Sequence, residues 1–423
     1  MPGLAAGEDY RALVVVYLNG GNDGNNVIVP TDGAYTDYQA SRANLALPRN
    51  SLTSLSGTAA GHTFGLHPSL APLAALYNAG RLAFISNVGP LIEPATGRQV
   101  LDNAVRLPPF LMSHNDQTAI VQGWSGTEEV SGWGGRGLET LPAALRHPLS
   151  AVTMDTNRTL VLGRQTPVTF MPPGGTRWWG TADLAYPETP SAQALSRMAK
   201  WQSANVYEAE YAKTLGSALY DSTHLTQAFL AAKAPDRDFG DEWLGNNMRA
   251  LASVLPHFKT QGLKRQVFLS HWGGFDTHAN QRGGDMNSQD SQFVTLARVL
   301  DAFDATNRAN GMDMNVVTLV MTEFGRTLRP GSGGGSEHAW GNHWWLMGGP
   351  VAGGTVHGIF PSMVLGGPDD GDPGKNGRHV PSTSSDQVGA SLMQWMGMDS
   401  TNLTNVFPNL ANFKHKTLPL IRV

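Results

Sequence analysis

The sequence predicts an α/β fold built on a mainly parallel sheet. Three observations point there: short continuous apolar runs rich in β-branched residues, segments of helical period between them, and glycines with an acidic residue soon after three of the runs. Ala12 to Leu18 is the first run and reads as a buried parallel strand emptying into Asn19-Gly20-Gly21-Asn22-Asp23-Gly24. A helix follows near Leu70 to Arg81, with Leu70, Leu73, Ala74 and Tyr77 at helical spacing, and then a strand from Leu82 to Ser86. Val267 to Ser270 precedes Gly273-Gly274-Phe275-Asp276, and Val316 to Met321 precedes Thr322-Glu323-Phe324-Gly325. Between them Asp290 to Asn307 carries Phe293, Leu296, Leu300 and Phe303 on one helical face. Ligands of such sheets collect at the carboxyl ends of the strands, which is where Asp23, Asp276 and Glu323 fall.

From about Ser191 to Gln261 the pattern is helical, with Leu195, Met198, Trp201, Val206, Ala209, Tyr211 and Leu215 as its apolar positions. No linker isolates this stretch, so it reads as helices packed on the sheet or inserted into a single domain spanning residues 1–423. Pro330 to Gly335 reads as a mobile loop.

Composition removes whole classes of function. Thirty Lys+Arg against 34 Asp+Glu give a net charge of −4 with no basic cluster, so nucleic acid is not an expected partner. No uncharged apolar run approaches the roughly 20 residues of a membrane helix, so no span is expected. Cysteine is absent, which leaves oxygen and imidazole as the metal donors. The opening residues, Met1 to Gly7, lack the charged and apolar regions of a secretory leader. The protein is therefore expected to be cytosolic, or to have had a leader removed.

Several motifs carry donor groups. Asp276-Thr277-His278 sets a carboxylate and an imidazole two apart, so in extended backbone both could face one side; a hydrogen-bonded strand-end pair is the alternative. Glu337-His338-Ala339-Trp340-Gly341-Asn342-His343 puts two histidines five apart, a spacing that suits a loop rather than a helical zinc site. Glu323 and Arg326 could form an internal ion pair, or Arg326 could meet a substrate anion. Ser113-His114-Asn115-Asp116 opens a helix running through Ile120 to Trp124: Ser113 is either its N-cap or a nucleophile, and His114 could ligate or shuttle protons. Asn22 and Asp23 suit a metal ligand and its oxygen neighbour, since the loop lacks both the P-loop Lys and the dinucleotide glycine pattern. His67 and His271 are intermediate cases. His62, His147, His224, His257 and His415 read as surface or packing residues.

In order along the chain, Leu18 to Asn26, Leu66-His67-Pro68, Met112 to Gln117, Gly132 to Arg136, Gly274 to Gln281, Thr322 to Thr327 and Glu337 to His343 resemble the bacterial family called domain of unknown function 1501. The resemblance runs from Leu13 to about Pro361. It implies the three-layer architecture of the alkaline phosphatase and sulfatase superfamily, with one or two metals at the strand ends and export, often by the twin-arginine route. Such a location is periplasmic or secreted. By motif, Asp23 takes the first ligand role, Ser113 the nucleophile's with His114 and Asp116 beside it, and Asp276 with His278 the next pair. The late strand departs from the superfamily's Asp-His by offering Glu323-Phe324, so Glu323 supplies only a carboxylate, or Glu337-His338 supplies the pair and His343 the last ligand. No Cys-x-Pro-x-Arg is present, which excludes a cysteine-derived formylglycine.

The expected activity is metal-dependent hydrolysis of a phosphate or sulfate ester, or a related small or polymeric anionic substrate. Asp23, Asp276, His278, Glu323, His338 and His343 would hold a divalent ion (Zn, Mn, Ca, Mg, Fe or Cu), and Arg326 or Arg136 would clamp the anion. An Fe- or Cu-dependent oxidoreductase and a non-catalytic exported metal-binding assembly factor are the alternatives.

Overall fold

A computed structural model describes residues 9–123, 130–173 and 189–422. Residues 1–7 of the opening segment and Trp124 at the end of the expected helix lie outside them. Strand β1 (Arg11–Leu18) sets the architecture, because both of its faces are apolar. Ala12, Val14, Val16 and Leu18 join one core, and Leu13, Val15 and Tyr17 join another. Such a strand has to be covered by a layer on each side.

Eight further strands share the sheet: β2 (Leu82–Gly89), β3 (Ala151–Thr153), β4 (Thr169–Phe170), β5 (Arg265–Trp272), β6 (Val316–Thr322), β7 (Asn342–Met347), β8 (Val356–His357) and β9 (Thr383–Ser384). Their order is β8-β2-β7-β6-β1-β5-β3-β4, with β9 also paired to β2. Only β7 is antiparallel to its neighbours. Val15 is in register with both Leu269 and Leu319, so the ends of β1, β5 and β6 lie side by side.

Helices make the outer layers. The first four are α1 (His114–Gln122), α2 (Trp133–Glu139), α3 (Pro190–Ala199) and α4 (Val206–Ala231). They are followed by α5 (Trp243–Thr260), α6 (Gln289–Ala309) and α7 (Ser385–Trp395). Leu251 and Leu255 of α5 and Phe293, Leu300 and Phe303 of α6 pack in the core of Val14. Trp133 of α2 and Val388, Leu392 and Met393 of α7 pack in that of Val15. Fully burying one such side chain stabilises the fold by about 1.5–3 kcal/mol, which explains why the strongest apolar runs are the central strands. Among the described residues, no helix is long and apolar enough to cross a membrane.

Three expectations are corrected. Leu70, Leu73, Ala74 and Tyr77 are buried as the spacing requires, but as a 3₁₀ segment Pro68–Leu73 followed by the short helix Ala74–Asn78; Pro72 lacks the N–H that an α-helix would use. In the helical region, Met198, Trp201, Val206 and Tyr211 are exposed, and the core contacts come from Leu225 and Ala228 further along α4 and from α5. The glycine-rich stretch is the tip of a hairpin joining Arg326–Pro330 to Ser336–His338, not a free loop. Asn280 N donates to Gly333 O at 3.1 Å, Gln281 N to Gly334 O at 3.2 Å and Ser336 N to Thr277 O at 3.1 Å. The hairpin is thereby docked on the segment that carries His278.

Gly335 permits that docking, since a Cβ there would overlap the carbonyl of Thr277. Gly335→Ala should lower stability by about 1–3 kcal/mol and weaken metal uptake in the same sample. Thermal melts with and without added zinc would measure both effects.

Candidate metal centre

Loops at the carboxyl ends of β1, β5 and β6 meet the start of α1 and the end of the glycine-tipped hairpin. Gly20, with φ +112°, has no room for a side chain because the backbone of Phe275 and Asp276 lies against it. This close approach brings the β1 and β5 loops together. Asp276 sits where they meet, with three imidazoles around it. Its Oδ1 lies 3.0 Å from His278 Nε2 and 3.1 Å from His338 Nε2, and its Oδ2 lies 3.4 Å from His114 Nε2.

The other nitrogen of each ring fixes where its proton is. His114 Nδ1 is 2.8 Å from Glu323 Oε1, His278 Nδ1 is 2.8 Å from Glu337 Oε2, and His338 Nδ1 is 2.9 Å from the carbonyl of Met112. A carbonyl or carboxylate oxygen can only accept, so each Nδ1 carries the hydrogen. In the neutral ring the Nε2 lone pair then points inward. Two such lone pairs, on His278 and His338, face each other at 3.0 Å, and the buried Nε2 of His114 has no hydrogen-bond partner. Donor atoms of His114, Asp276 and His338 lie within 4.8 Å of one another. Facing lone pairs and an orphaned nitrogen around a carboxylate are what a cation resolves, and an oxygen acceptor behind each ring is the usual support of a metal-binding histidine. The residues fit a metal ion.

Charge follows from the same contacts. Burial would push the Asp276 carboxyl up, but the Arg326 guanidinium holds it down to about 2. Its contribution to stability is complete above its ordinary value and lost as pH falls toward about 2. The hydrogen bond to Glu323 raises the pKa of His114, whereas burial lowers that of His338. Glu323 is buried, and its Oε1 also accepts from Gly20 N at 2.8 Å. Met112, with φ +68°, holds its carbonyl toward His338 from left-handed backbone, a strained geometry typical of sites that must aim a group.

The model of the family described as Protein of unknown function (DUF1501) matches residues 10–405. The chain belongs to that family. No curated protein matches it. Among solved structures, the DUF1501 chain is similar to the lipoteichoic acid synthase LtaP from Listeria monocytogenes, at 8% identity over 93% of this chain and 74% of that one, with a TM-score of 0.36. The C-terminal periplasmic domain of EcEptC from Escherichia coli, in complex with Zn, gives 9% identity over 81% and 74%, with a TM-score of 0.32. The PsFucS1 sulfatase from Pseudoalteromonas sp. gives 11% over 85% and 66%, with a TM-score of 0.28. Scores this low carry no inference about chemistry.

Within the DUF1501 chain the residues expected at the site divide. Asp276, His278, His338 and His114 come together. Glu323 stands behind His114 as its acceptor, and Phe324, where the superfamily resemblance implies histidine, packs against His114 and His338 with ring centroids 4.8 and 4.6 Å away. Asp23 is not among them: it is fully buried, paired with Arg42, and accepts from Gln281 Nε2 at 2.6 Å. His343 lies apart on β7, where Nδ1 accepts from Asn87 N at 3.1 Å and burial lowers its pKa to about 3. Ser113 donates its hydroxyl to Asp116 at 2.5 Å, which occupies both side chains, and it makes no side-chain cap bond.

Arg326 is wholly buried, donating to Asp276 at 2.5 Å and to the carbonyls of Gly20, Gly21, Phe275 and Ser336, so it forms an ion pair with Asp276 and not the expected one with Glu323, and no face is left for an anion. Arg136 is buried elsewhere, bonded to the carbonyls of Gly123 and Val406. His67 is a buried partner of Asp290, and His271 is buried against the Tyr17 ring. Sequence reading missed two supports, Glu337 as the acceptor for His278 and the Met112 carbonyl. The first was readable from its place beside His338. The second is a backbone atom and leaves no signal.

In metal-free protein Glu323→Gln should return the His114 pKa toward the ordinary value of about 6.5. Because the folded value is raised, the stability His114 adds is present below that ordinary value and lost as pH rises through the folded one. The variant should lose this pH dependence. An NMR titration of the imidazole resonances, with melts across the same pH range, measures it.

Proposed function

We propose that the chain is a divalent-metal-dependent hydrolase of phosphate or sulfate esters, working outside the cytoplasm as exported members of such a group do. The observation that carries the reading is the convergence of three imidazole Nε2 atoms on Asp276, each ring having given its other proton to an oxygen. His114, His278, His338 and Asp276 would hold the ion. Three nitrogens and one oxygen suit Zn, Fe, Mn or Cu better than Ca or Mg, which prefer all-oxygen sites. Such an ion, when bound, supplies a Lewis acid and lowers the pKa of water.

The chain's own residues set the stage for the reaction. Arg326 keeps Asp276 ionised and aimed, and Glu323, Glu337 and Met112 keep each imidazole in the tautomer whose Nε2 is free. Gly20 N holds Glu323 in place at 2.8 Å. Beside this cluster opens a cavity of about 790 Å³ lined by His114, Asp276 and Glu323, which is large enough for an ester and its alcohol. In the reaction the oxygen of water bonds to phosphorus or sulfur, the bond to the ester oxygen breaks, and the alcohol leaves with one of the water's protons. Ser113 is engaged with Asp116, so water is the better supported nucleophile.

One observation favours an oxidoreductase as the second reading: the donors are mostly imidazole, as Fe and Cu sites are, and no Lys or Arg is among the described residues lining the cavity. Loading metal-free protein in turn with Zn, Mn, Fe and Cu and assaying aryl phosphates and sulfates separates the two. One ion per chain and ester turnover are expected with at least one metal. His338→Ala should abolish both, Glu337→Gln should weaken metal binding about 10–100-fold, and Ser113→Ala should keep most of the activity. No turnover with any metal overturns the hydrolase, and a bound Fe or Cu with an EPR signal in native protein supports the oxidoreductase.

A further inference from the structure

The cavity's lining speaks to the alcohol half of the ester. Asn19 at the end of β1, Asn115 and Thr118 on α1, Asn157 and Thr159 after β3, and Asn287 before α6 all face it. These groups come from four separate parts of the chain and so surround the space instead of marking one wall. Asn19, Asn115 and Asn287 make no side-chain hydrogen bond, and Asn157 uses only its Oδ1, which accepts from Thr159 N at 3.1 Å. The free amides offer both donors and acceptors.

Other substrate classes fit this lining poorly. Among the described lining residues, a lipid or aryl group would find only the small side chains Ala119 and Ala279 to pack against. A densely charged anion would meet Asp276 and Glu323 with no Lys or Arg among those described residues, and like charges at close range are unfavourable. A ligand whose hydroxyls both donate and accept can bond every one of these groups.

We propose that the cavity binds a carbohydrate, and that the ester cleaved is a singly charged phosphate or sulfate on a sugar. The identification of the ester rests on the hydrolase reading, whereas saccharide binding does not. Asn19, Asn115, Asn157 and Asn287 hydrogen-bond the hydroxyls, and the ester group lies against Asp276 and His114.

The test uses the full zinc-loaded chain with two readouts. Calorimetry measures binding of neutral oligosaccharides of glucose, galactose and N-acetylglucosamine. Kinetics compare sugar 6-sulfates and methyl sugar 6-phosphodiesters, both singly charged, with the corresponding 4-nitrophenyl esters. Saccharide binding is expected, as is a kcat/KM for at least one sugar ester about tenfold or more above its aryl counterpart. The double variant Asn115→Leu, Asn157→Leu should lower that ratio about tenfold and weaken saccharide binding, with melting temperature as the check on folding. Aryl turnover without saccharide binding or sugar preference overturns this proposal and leaves the hydrolase standing. Saccharide binding that the double variant abolishes, in a protein that turns over no ester, supports the cavity assignment and overturns the hydrolase. Neither binding nor turnover overturns both.

Discussion

One buried guanidinium carries the arrangement of the site. Arg326 is inaccessible to solvent, and a buried charge without partners costs several kcal/mol, so the folded chain has to bring acceptors to it. The acceptors come from three segments: Gly20 and Gly21 after β1, Phe275 and Asp276 after β5, and Ser336 on the returning strand of the hairpin. Meeting the charge therefore pulls together the loops that bear the carboxylate and the histidines. The planar fork of arginine can reach several oxygens at fixed angles, which an ammonium cannot copy. The contact that holds the loops also keeps Asp276 ionised far below neutral pH.

Around this clasp the site is organised by protons. Three different oxygens, on Glu323, Glu337 and the Met112 backbone, choose the same tautomer for three imidazoles. Two of the acceptors are supported in turn: Glu323 by Gly20 N, and Met112 by its own amide donating to Gln117 Oε1 at 2.7 Å. Phe324 packs against both His114 and His338, so the rings are held by packing as well as by hydrogen bonds. Geometry fixed at two levels in this way can aim weak bases at one point without a covalent tie.

The sheet was legible because a strand buried on both faces has few alternatives, and β1, β5 and β6 carry that pattern in their residues. Asp276 and His278 were legible because they are close in sequence and follow a strand. What failed depended on distant partners. Asp23 has the setting of a ligand, but Arg42, on another element, neutralises it, and no local signal announces that pairing. His343 stands five residues from His338, yet the hairpin ends and β7 begins between them, so the second ring enters the core. The glycines of residues 331–335 suggested mobility because glycine permits it. Here they permit close contact with residues 277–281, which a single sequence does not distinguish from freedom.

The balance of charge argues that protons and a metal compete for one set of atoms. Asp276 is paired with the one guanidinium, of Arg326, while Glu323 and Glu337 are each bonded to an imidazole, with the imidazoles neutral in the tautomers their acceptors impose. This leaves an excess of negative charge that either a divalent ion or protons on the inward nitrogens would offset. The protein treats the three rings unequally, since Glu323 raises the pKa of His114 while burial lowers that of His338. As pH falls, His114 is then the first of the two to take a proton on Nε2, and a protonated nitrogen cannot bind metal. Of these two rings, His114, the one with a carboxylate partner, would hold its Nε2 proton against an ion to the higher pH. The contact that orients His114 best is also the one that makes its nitrogen the hardest to free of a proton.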